Sequence, residues 1–161
     1  VEKAALALDA ALPRGIRVLA ADAVDTHHAA LMSQVAGASY RVTLPYSKDV
    51  SAAVAEFNAA PELLFKKAAP KTKAKFKEID VKFYIPQLTA EQTEKETIFS
   101  FDCKITPTGS MKAVDLLNAL NEQYGLALPV EMADIERLRL YRNNKNGKPI
   151  PMLNSDAVTL G

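Results

Sequence analysis

Three stretches of the chain alternate apolar and polar residues with the two-residue period of a half-buried β-strand. They cover residues 38–44, 79–85 and 97–106. We expect the strand at 97–106 to pair beside the strand at 79–85. The acidic stretch between them, at 89–96, is predicted to be a loop.

Two further stretches repeat apolar residues at the three- and four-residue spacing of an amphipathic helix. One covers residues 50–57 and follows Asp49, whose carboxylate can cap a helix start. The other covers residues 113–124, with Ser110 as the predicted cap and Gly125 as the predicted terminator.

Shorter strands are predicted at 63–67 and 135–141, so the element order is strand, helix, strand, strand, strand, helix, strand. This order predicts a two-layer α+β sandwich with a ferredoxin-like, mainly antiparallel sheet and one additional strand. The residues expected to form one core are Tyr40, Val42, Leu44, Val54, Phe57, Ile79, Val81, Phe83, Phe101, Cys103, Leu117 and Leu120.

The pattern predicts a single α+β domain over residues 1–151 and a weakly ordered tail over 152–161. The sequence opens at Val1, without a methionine, in a helix-like run. We therefore expect the C-terminal part of a longer domain or chain.

The composition is that of a soluble globular protein. Of 161 residues, 24% are charged and 48% are hydrophobic, and the twenty Lys and Arg nearly balance the nineteen Asp and Glu. These proportions exclude a disordered or collagen-like chain. The longest apolar runs are far shorter than the roughly 20 residues of a membrane span, and no basic start precedes an apolar run. We therefore expect a cytoplasmic protein without a membrane partner.

The positive charge is concentrated in residues 61–90, which contain seven lysines and three acidic residues. The centre of this segment connects two predicted strands, and lysines on a projecting connection can follow a phosphate backbone. Aromatic rings beside them offer faces on which single-stranded bases stack. The residues predicted to contact RNA are Lys66, Lys67, Lys71, Lys73, Lys75, Lys77, Lys82, Arg41 and Tyr84, with Phe65 and Phe76 as further stacking rings.

Two other interpretations of the lysine segment stay open. Lysines at the tip of a solvated hairpin discourage edge-to-edge aggregation and need no ligand. They also suit the acidic surface of a protein partner.

Candidates for catalysis or metal binding are few, and each has a simpler explanation. His27 and His28 are adjacent and no third ligand lies at metal spacing, so surface histidines are expected rather than a metal site. Glu78 and Asp80 share a strand face beside lysines, which favours an exposed charge ladder over an acid–base pair. Cys103 lies among apolar residues and is expected in the core, not as a nucleophile. The sequence has no GxGxxG, GxxxxGK or GxSxG motif, so we expect no cofactor.

The stretches ALPRGIRVLAAD, LMSQVAGASYRVTL and KEIDVKFYI, with the lysine segment, resemble a bacterial domain of unknown function, the radical-SAM-linked or radical-SAM-associated domain. The resemblance spans most of residues 9–142. It implies a partner, because in that family the domain follows, or is encoded beside, a cobalamin-binding-type radical SAM protein, often near genes for ribonuclease G/E and ribosomal proteins. The family normally begins with a segment that carries FLSHLD-like and GFNPHP-like motifs. This sequence lacks that segment, so the resemblance implies an N-terminal truncation.

Three functions are compatible with these observations. The first is an accessory module that recognises RNA or another substrate for a radical SAM partner or an RNA-processing system. The second is an interaction module that docks to a radical SAM enzyme, and the third is a fragment of an RNA-modifying enzyme similar to pseudouridine synthases. The chain is not the radical SAM enzyme itself, since the iron–sulfur cluster needs three closely spaced cysteines and only Cys103 is present. We expect no enzymatic activity from this chain alone.

Overall fold

The computed structural model of the chain describes residues 1–24, 27, 30–68, 75–154 and 157–160. A short 3-10 turn spans Val130–Met132. The helices and strands, in chain order, are α1 Glu2–Ala11, β1 Ala20–Ala21, α2 Leu31–Gln34, β2 Gly37–Leu44, α3 Ser51–Ala59, β3 Leu64–Ala68, β4 Phe76–Asp80, α4 Val81–Tyr84, β5 Leu88–Gln92, β6 Thr97–Thr106, β7 Gly109–Ser110, α5 Ala113–Tyr124, β8 Asp134–Asn143, β9 Pro149–Pro151 and β10 Val158–Thr159.

Most of the main sheet lies in the larger of two compact units, Ala36–Tyr141. Its strands are antiparallel in the order β5-β6-β2-β8, and β7 pairs with the end of β6. Because α3 lies between β2 and β5 in the chain, and α5 between β6 and β8, this is the strand–helix–strand–strand–helix–strand order of a ferredoxin-like fold. The predicted α+β class with a mainly antiparallel sheet is confirmed.

The additional strands form a separate antiparallel hairpin, β3 and β4, inserted between α3 and β5. The prediction of a strand over 79–85 is wrong beyond Asp80. The Oδ1 atom of Asp80 accepts the backbone N–H of Lys82 at 3.0 Å, and this cap starts the short helix α4. The strand beside β6 is instead β5, which includes part of the stretch predicted to be an acidic loop.

One face of the main sheet packs against α3 and α5 in a single apolar core. Tyr40 and Val54 are partly buried against this core, as is Phe65 from the hairpin. The prediction for Phe83 is wrong, because its side chain is 51% exposed on α4. The predicted core residues that the structure confirms as buried are Val42, Leu44, Phe57, Ile79, Val81, Phe101, Cys103, Leu117 and Leu120.

Three residues are predicted to start or end the two long helices of this unit, and two of them contact the helix ends as expected. Asp49 accepts the backbone N–H of Ser51, the first residue of α3, at 2.8 Å. Gly125 ends α5 with a φ of 63°, in the left-handed region that favours glycine. The predicted cap Ser110 is wrong, because Ser110 lies in β7 and the side chain of Asp115 accepts the backbone N–H of Lys112 at 3.1 Å.

The second unit consists of Val1–Val35 and Arg142–Gly161. In it, β1 pairs antiparallel with β10. The carboxylate of Asp9 accepts hydrogen bonds from Arg17 Nε at 3.0 Å and from the backbone N–H of Val18 at 2.8 Å. These two bonds, chiefly the one from Arg17, hold the pKa of Asp9 below its ordinary value.

Candidate nucleic-acid interface

The lysine segment forms the β3–β4 hairpin, whose register divides its side chains between two faces. Phe65 lies opposite Ile79, and on the same face Lys67 lies opposite Lys77. Ile79 is buried and Phe65 is half-buried, so this face is anchored on the core at its base. The other face carries Lys66 opposite Glu78 and ends at Phe76.

Lys67 is engaged within the protein. Its ammonium lies 2.7 Å from Oδ2 of Asp115, in the first turn of α5, and both side chains are mostly shielded from solvent. The same carboxylate oxygen accepts the backbone N–H of Lys112. This pair therefore ties the hairpin to the start of α5.

Lys82 is also engaged within the protein, by backbone oxygens instead of a carboxylate. Its ammonium donates to the backbone oxygens of Phe57 at 2.8 Å and Pro86 at 2.5 Å, and it lies 4.4 Å from the centre of the Phe57 ring. Burial lowers the pKa of this amine, and the nearby Asp80 carboxylate opposes that shift. The side chain of Lys82 joins the end of α3 to the segment that follows α4.

Arg41 and Tyr84 lie away from the exposed lysines. Arg41 is on the sheet face opposite the core, since its neighbour Val42 is buried, and its guanidinium is 3.8 Å from Glu136. The side chain of Tyr84 is buried in the core. Neither residue offers a contact beside the hairpin in this structure.

The other described lysines of the hairpin, Lys66, Lys75 and Lys77, are exposed. The Phe76 ring is 59% exposed on the same hairpin face as Lys66, whereas Lys77 lies on the opposite face. We call these four residues the hairpin surface. Lys71 and Lys73, also predicted as RNA contacts, lie outside the described residues.

The sequence pattern misses a second exposed ring, Phe83. Its edge meets the ring of Tyr84, with centroids 5.0 Å apart, and the ammonium of Lys104 lies 5.3 Å from its centre. An exposed aromatic ring with a cation beside it is a combination that single-strand-binding proteins use, because a base can stack on the ring and the cation adds electrostatic attraction. The sequence does contain a signal for this exposure. Asp80 is a residue type that caps helices and directly precedes VKFY, so a helical turn starting there takes Phe83 out of the strand alternation.

The other candidate groups have structural roles. Asp80 accepts the backbone N–H groups of both Leu63 and Lys82 through one oxygen, so it serves as a cap and not as half of a pair with Glu78. Cys103 is buried, and burial raises the pKa of its thiol, which disfavours the nucleophilic thiolate. Its prediction as a core residue is confirmed.

Metal-binding and membrane features were sought in the described part of the chain. Within it, no three His, Cys, Asp or Glu side chains come together as a metal-ligand group. His28, one of the two candidate histidines, lies outside the described residues. None of the described helices combines the length and the apolar character needed to cross a bilayer.

The chain matches a family of known sequences. A family of uncharacterized proteins conserved in bacteria (DUF2344) matches residues 1–117, which is more than half of the chain. No curated protein and no solved structure matches.

Proposed function

The chain belongs to the DUF2344 family of uncharacterized bacterial proteins, and from this premise we propose that it is an accessory module that recognises single-stranded RNA through the hairpin surface. We further propose that the module serves a radical SAM protein, because the sequence resembles a domain that follows such a protein or is encoded beside it. The observation that carries the RNA part is the division of the hairpin lysines into engaged and exposed groups.

The charge of the hairpin supports a polyanionic ligand. Between Leu64 and Asp80 the chain has six lysines and two carboxylates. Of the carboxylates, Asp80 is used as a backbone cap, and of the lysines, Lys67 is paired with Asp115. The exposed amines of Lys66, Lys75 and Lys77 are therefore opposed mainly by Glu78. Amines placed in this way release counterions from a phosphate backbone when they bind it.

The exposed rings favour a single strand over a duplex. Phe76 is exposed on the same hairpin face as Lys66 and is next to Lys75 and Lys77 in the chain. Stacking a base on such a ring requires that the base be unpaired and splayed out. Stacking of this kind contributes about 1–3 kcal/mol per base in known single-strand complexes.

The first experiment compares the affinity of three proteins for one short oligouridylate at moderate salt. The hairpin variant carries Lys66→Gln, Lys75→Gln and Lys77→Gln. The matched control carries Lys48→Gln, Lys95→Gln and Lys145→Gln, which remove the same charge from exposed lysines elsewhere. We expect the hairpin variant to bind at least tenfold more weakly than the control. Equal binding by the two variants, or no binding by the wild type, would refute the proposal.

A docking function has its own supporting observation. Leu64 is 52% exposed on the same hairpin face as Lys66 and Phe76, and apolar residues mixed with cations also suit a protein interface. If the hairpin binds a radical SAM enzyme directly, the purified proteins should associate after nuclease treatment, and Leu64→Ser should weaken that association. Association that disappears with nuclease would leave RNA as the bridge.

A further inference from the structure

A groove of about 640 Å³ lies on the face of the main sheet that is turned away from the core. Side chains alternate between the two faces of each strand, so the neighbours of buried Val42, Phe101 and Cys103 point to this side. Its lining includes Ser39, Asp102, Arg139, Leu138 and Pro86. We call it the sheet-face groove.

Three polar side chains cross the floor of the sheet-face groove in one row. Ser39 on β2 is paired with Asp102 on β6 and with Arg139 on β8. Arg139 Nε donates to Ser39 Oγ at 3.0 Å, and Ser39 Oγ donates to Asp102 Oδ1 in a short hydrogen bond. The single hydroxyl proton of Ser39 is thus committed to Asp102. The row has a fixed direction, with a donor group at one end and an acceptor group at the other.

The outer ends of this row have unused hydrogen-bonding capacity. Within the described part of the chain, no protein group pairs with Asp102 Oδ2 or with the terminal nitrogens of Arg139. Both residues are exposed at the groove, whereas Ser39 between them is 8% exposed. A complementary ligand offers acceptors on one edge for the guanidinium and donors on another edge for the carboxylate.

Guanine is the nucleobase that combines two adjacent acceptors with two adjacent donor groups. Its O6 and N7 atoms are adjacent acceptors that suit an arginine fork. Its N1–H and N2–H groups are adjacent donors that suit a carboxylate. Uracil has a single ring N–H between two carbonyls, and adenine has one amino group, so each satisfies the row less completely. Leu138, which is 46% exposed at the groove, and Pro86 provide apolar surface for the base.

The groove is connected to the hairpin surface by α4. β5 begins at Leu88 opposite Phe101, and α4 contacts β6. Lys104, two residues after Asp102 on the same face of β6, lies over the ring of Phe83 on α4. In the chain, Phe83 therefore lies between β4 of the hairpin, from which α4 continues directly, and Pro86, which lines the groove.

We propose that the sheet-face groove binds an unpaired guanine base of the RNA, with Arg139 contacting O6 and N7 and Asp102 contacting N1 and N2. This inference rests on the proposed RNA-binding function and adds a base preference to it. Ser39 is a positioning residue, because it holds the two contacting side chains in register.

The test measures affinity for short oligouridylates that differ only in one central nucleoside: uridine, adenosine, cytidine, guanosine, inosine or 7-deazaguanosine. Inosine lacks the N2 amino group and 7-deazaguanosine lacks N7, so each removes the partner of one side chain. We expect the guanosine oligomer to bind the wild type about tenfold more tightly than the others, since one well-placed bidentate contact distinguishes bases by about 5- to 150-fold. Asp102→Asn and Arg139→Gln should each reduce that ratio towards one. Arg137→Gln, on the same strand but outside the groove lining, should keep it.

The outcomes separate the two proposals. If all oligomers bind the wild type equally and the hairpin variant loses that binding, the groove inference fails and the RNA-binding function stands. A guanosine preference that survives both Asp102→Asn and Arg139→Gln also refutes the inference, because the preference then arises elsewhere. If no oligomer binds, the proposed function fails and the inference fails with it.

Discussion

At the scale of single residues, the least expected position in the structure is Thr97, a polar residue with no solvent exposure. Its hydroxyl donates to the backbone oxygen of Tyr46 at 2.6 Å and accepts from the side-chain amide of Gln92 at 2.8 Å. The same amide also donates to the backbone oxygen of Lys48. One hydroxyl therefore joins β5, β6 and the segment after β2.

Replacement of Thr97 by Val tests this role. The two side chains have nearly the same shape, but the valine removes the donor to the backbone oxygen of Tyr46 and one of the two acceptors of the Gln92 amide. We expect a loss of about 1–3 kcal/mol in the free energy of unfolding, measured by urea denaturation. The control Thr108→Val, at an exposed turn, should change stability by less than about 0.5 kcal/mol. A Thr97→Val protein as stable as the wild type would contradict the assigned hydrogen bonds.

At the scale of elements, the sequence predicts strands and helices well where one face is strongly apolar. The strand over 97–106 has the predicted bounds. The helix ends at Tyr124, before Gly125, as predicted, but it starts at Ala113 and not directly after Ser110. The strand over 79–85 fails because its alternation also suits a strand end followed by one helical turn, and the capping bond of Asp80 decides between them. β5 is not predicted because it is short and mostly exposed. Leu88 is its one buried residue, so the sequence shows little alternation of strongly apolar and polar residues there.

The sequence predicts the lysines of the candidate site, but not which of them are exposed and which are paired within the protein. Lys66 and Lys67 are identical neighbours in the sequence, yet one is exposed and the other is paired with a carboxylate nearly fifty residues later. Such a pairing depends on where α5 packs, which no local pattern contains. The row across the sheet-face groove joins three strands and likewise has no local signal.

The adjacent lysines provide a prediction at this scale. Lys67→Met should lower the free energy of unfolding by about 1 kcal/mol, because a shielded ion pair is worth somewhat more than an exposed one. A double-mutant cycle with Asp115→Asn isolates the pair. Lys66→Met should leave stability unchanged and weaken RNA binding. If the two lysines exchanged these effects, the register of the hairpin would be wrong.

At the scale of the whole molecule, the charge balance is nearly neutral, with a formal net charge of +1. Attraction of RNA by the protein as a whole is therefore weak, and any strong attraction must come from a local concentration of cations. The hairpin provides this concentration as an insertion between α3 and β5, and the pairing of Lys67 with Asp115 ties it to α5. One face of the main sheet packs against the core, and the sheet-face groove lies on the other face.

The most direct test of the central claim is the dependence of RNA affinity on salt. The logarithm of the binding constant falls linearly with the logarithm of the salt concentration, by about 0.7 for each phosphate contact on a single strand. If Lys66, Lys75 and Lys77 each contact a phosphate, the triple Lys→Gln variant should reduce the magnitude of this slope by about 2 relative to the wild type. The control variant with Lys48, Lys95 and Lys145 replaced should keep the wild-type slope. Equal slopes for the wild type and the hairpin variant would contradict the account.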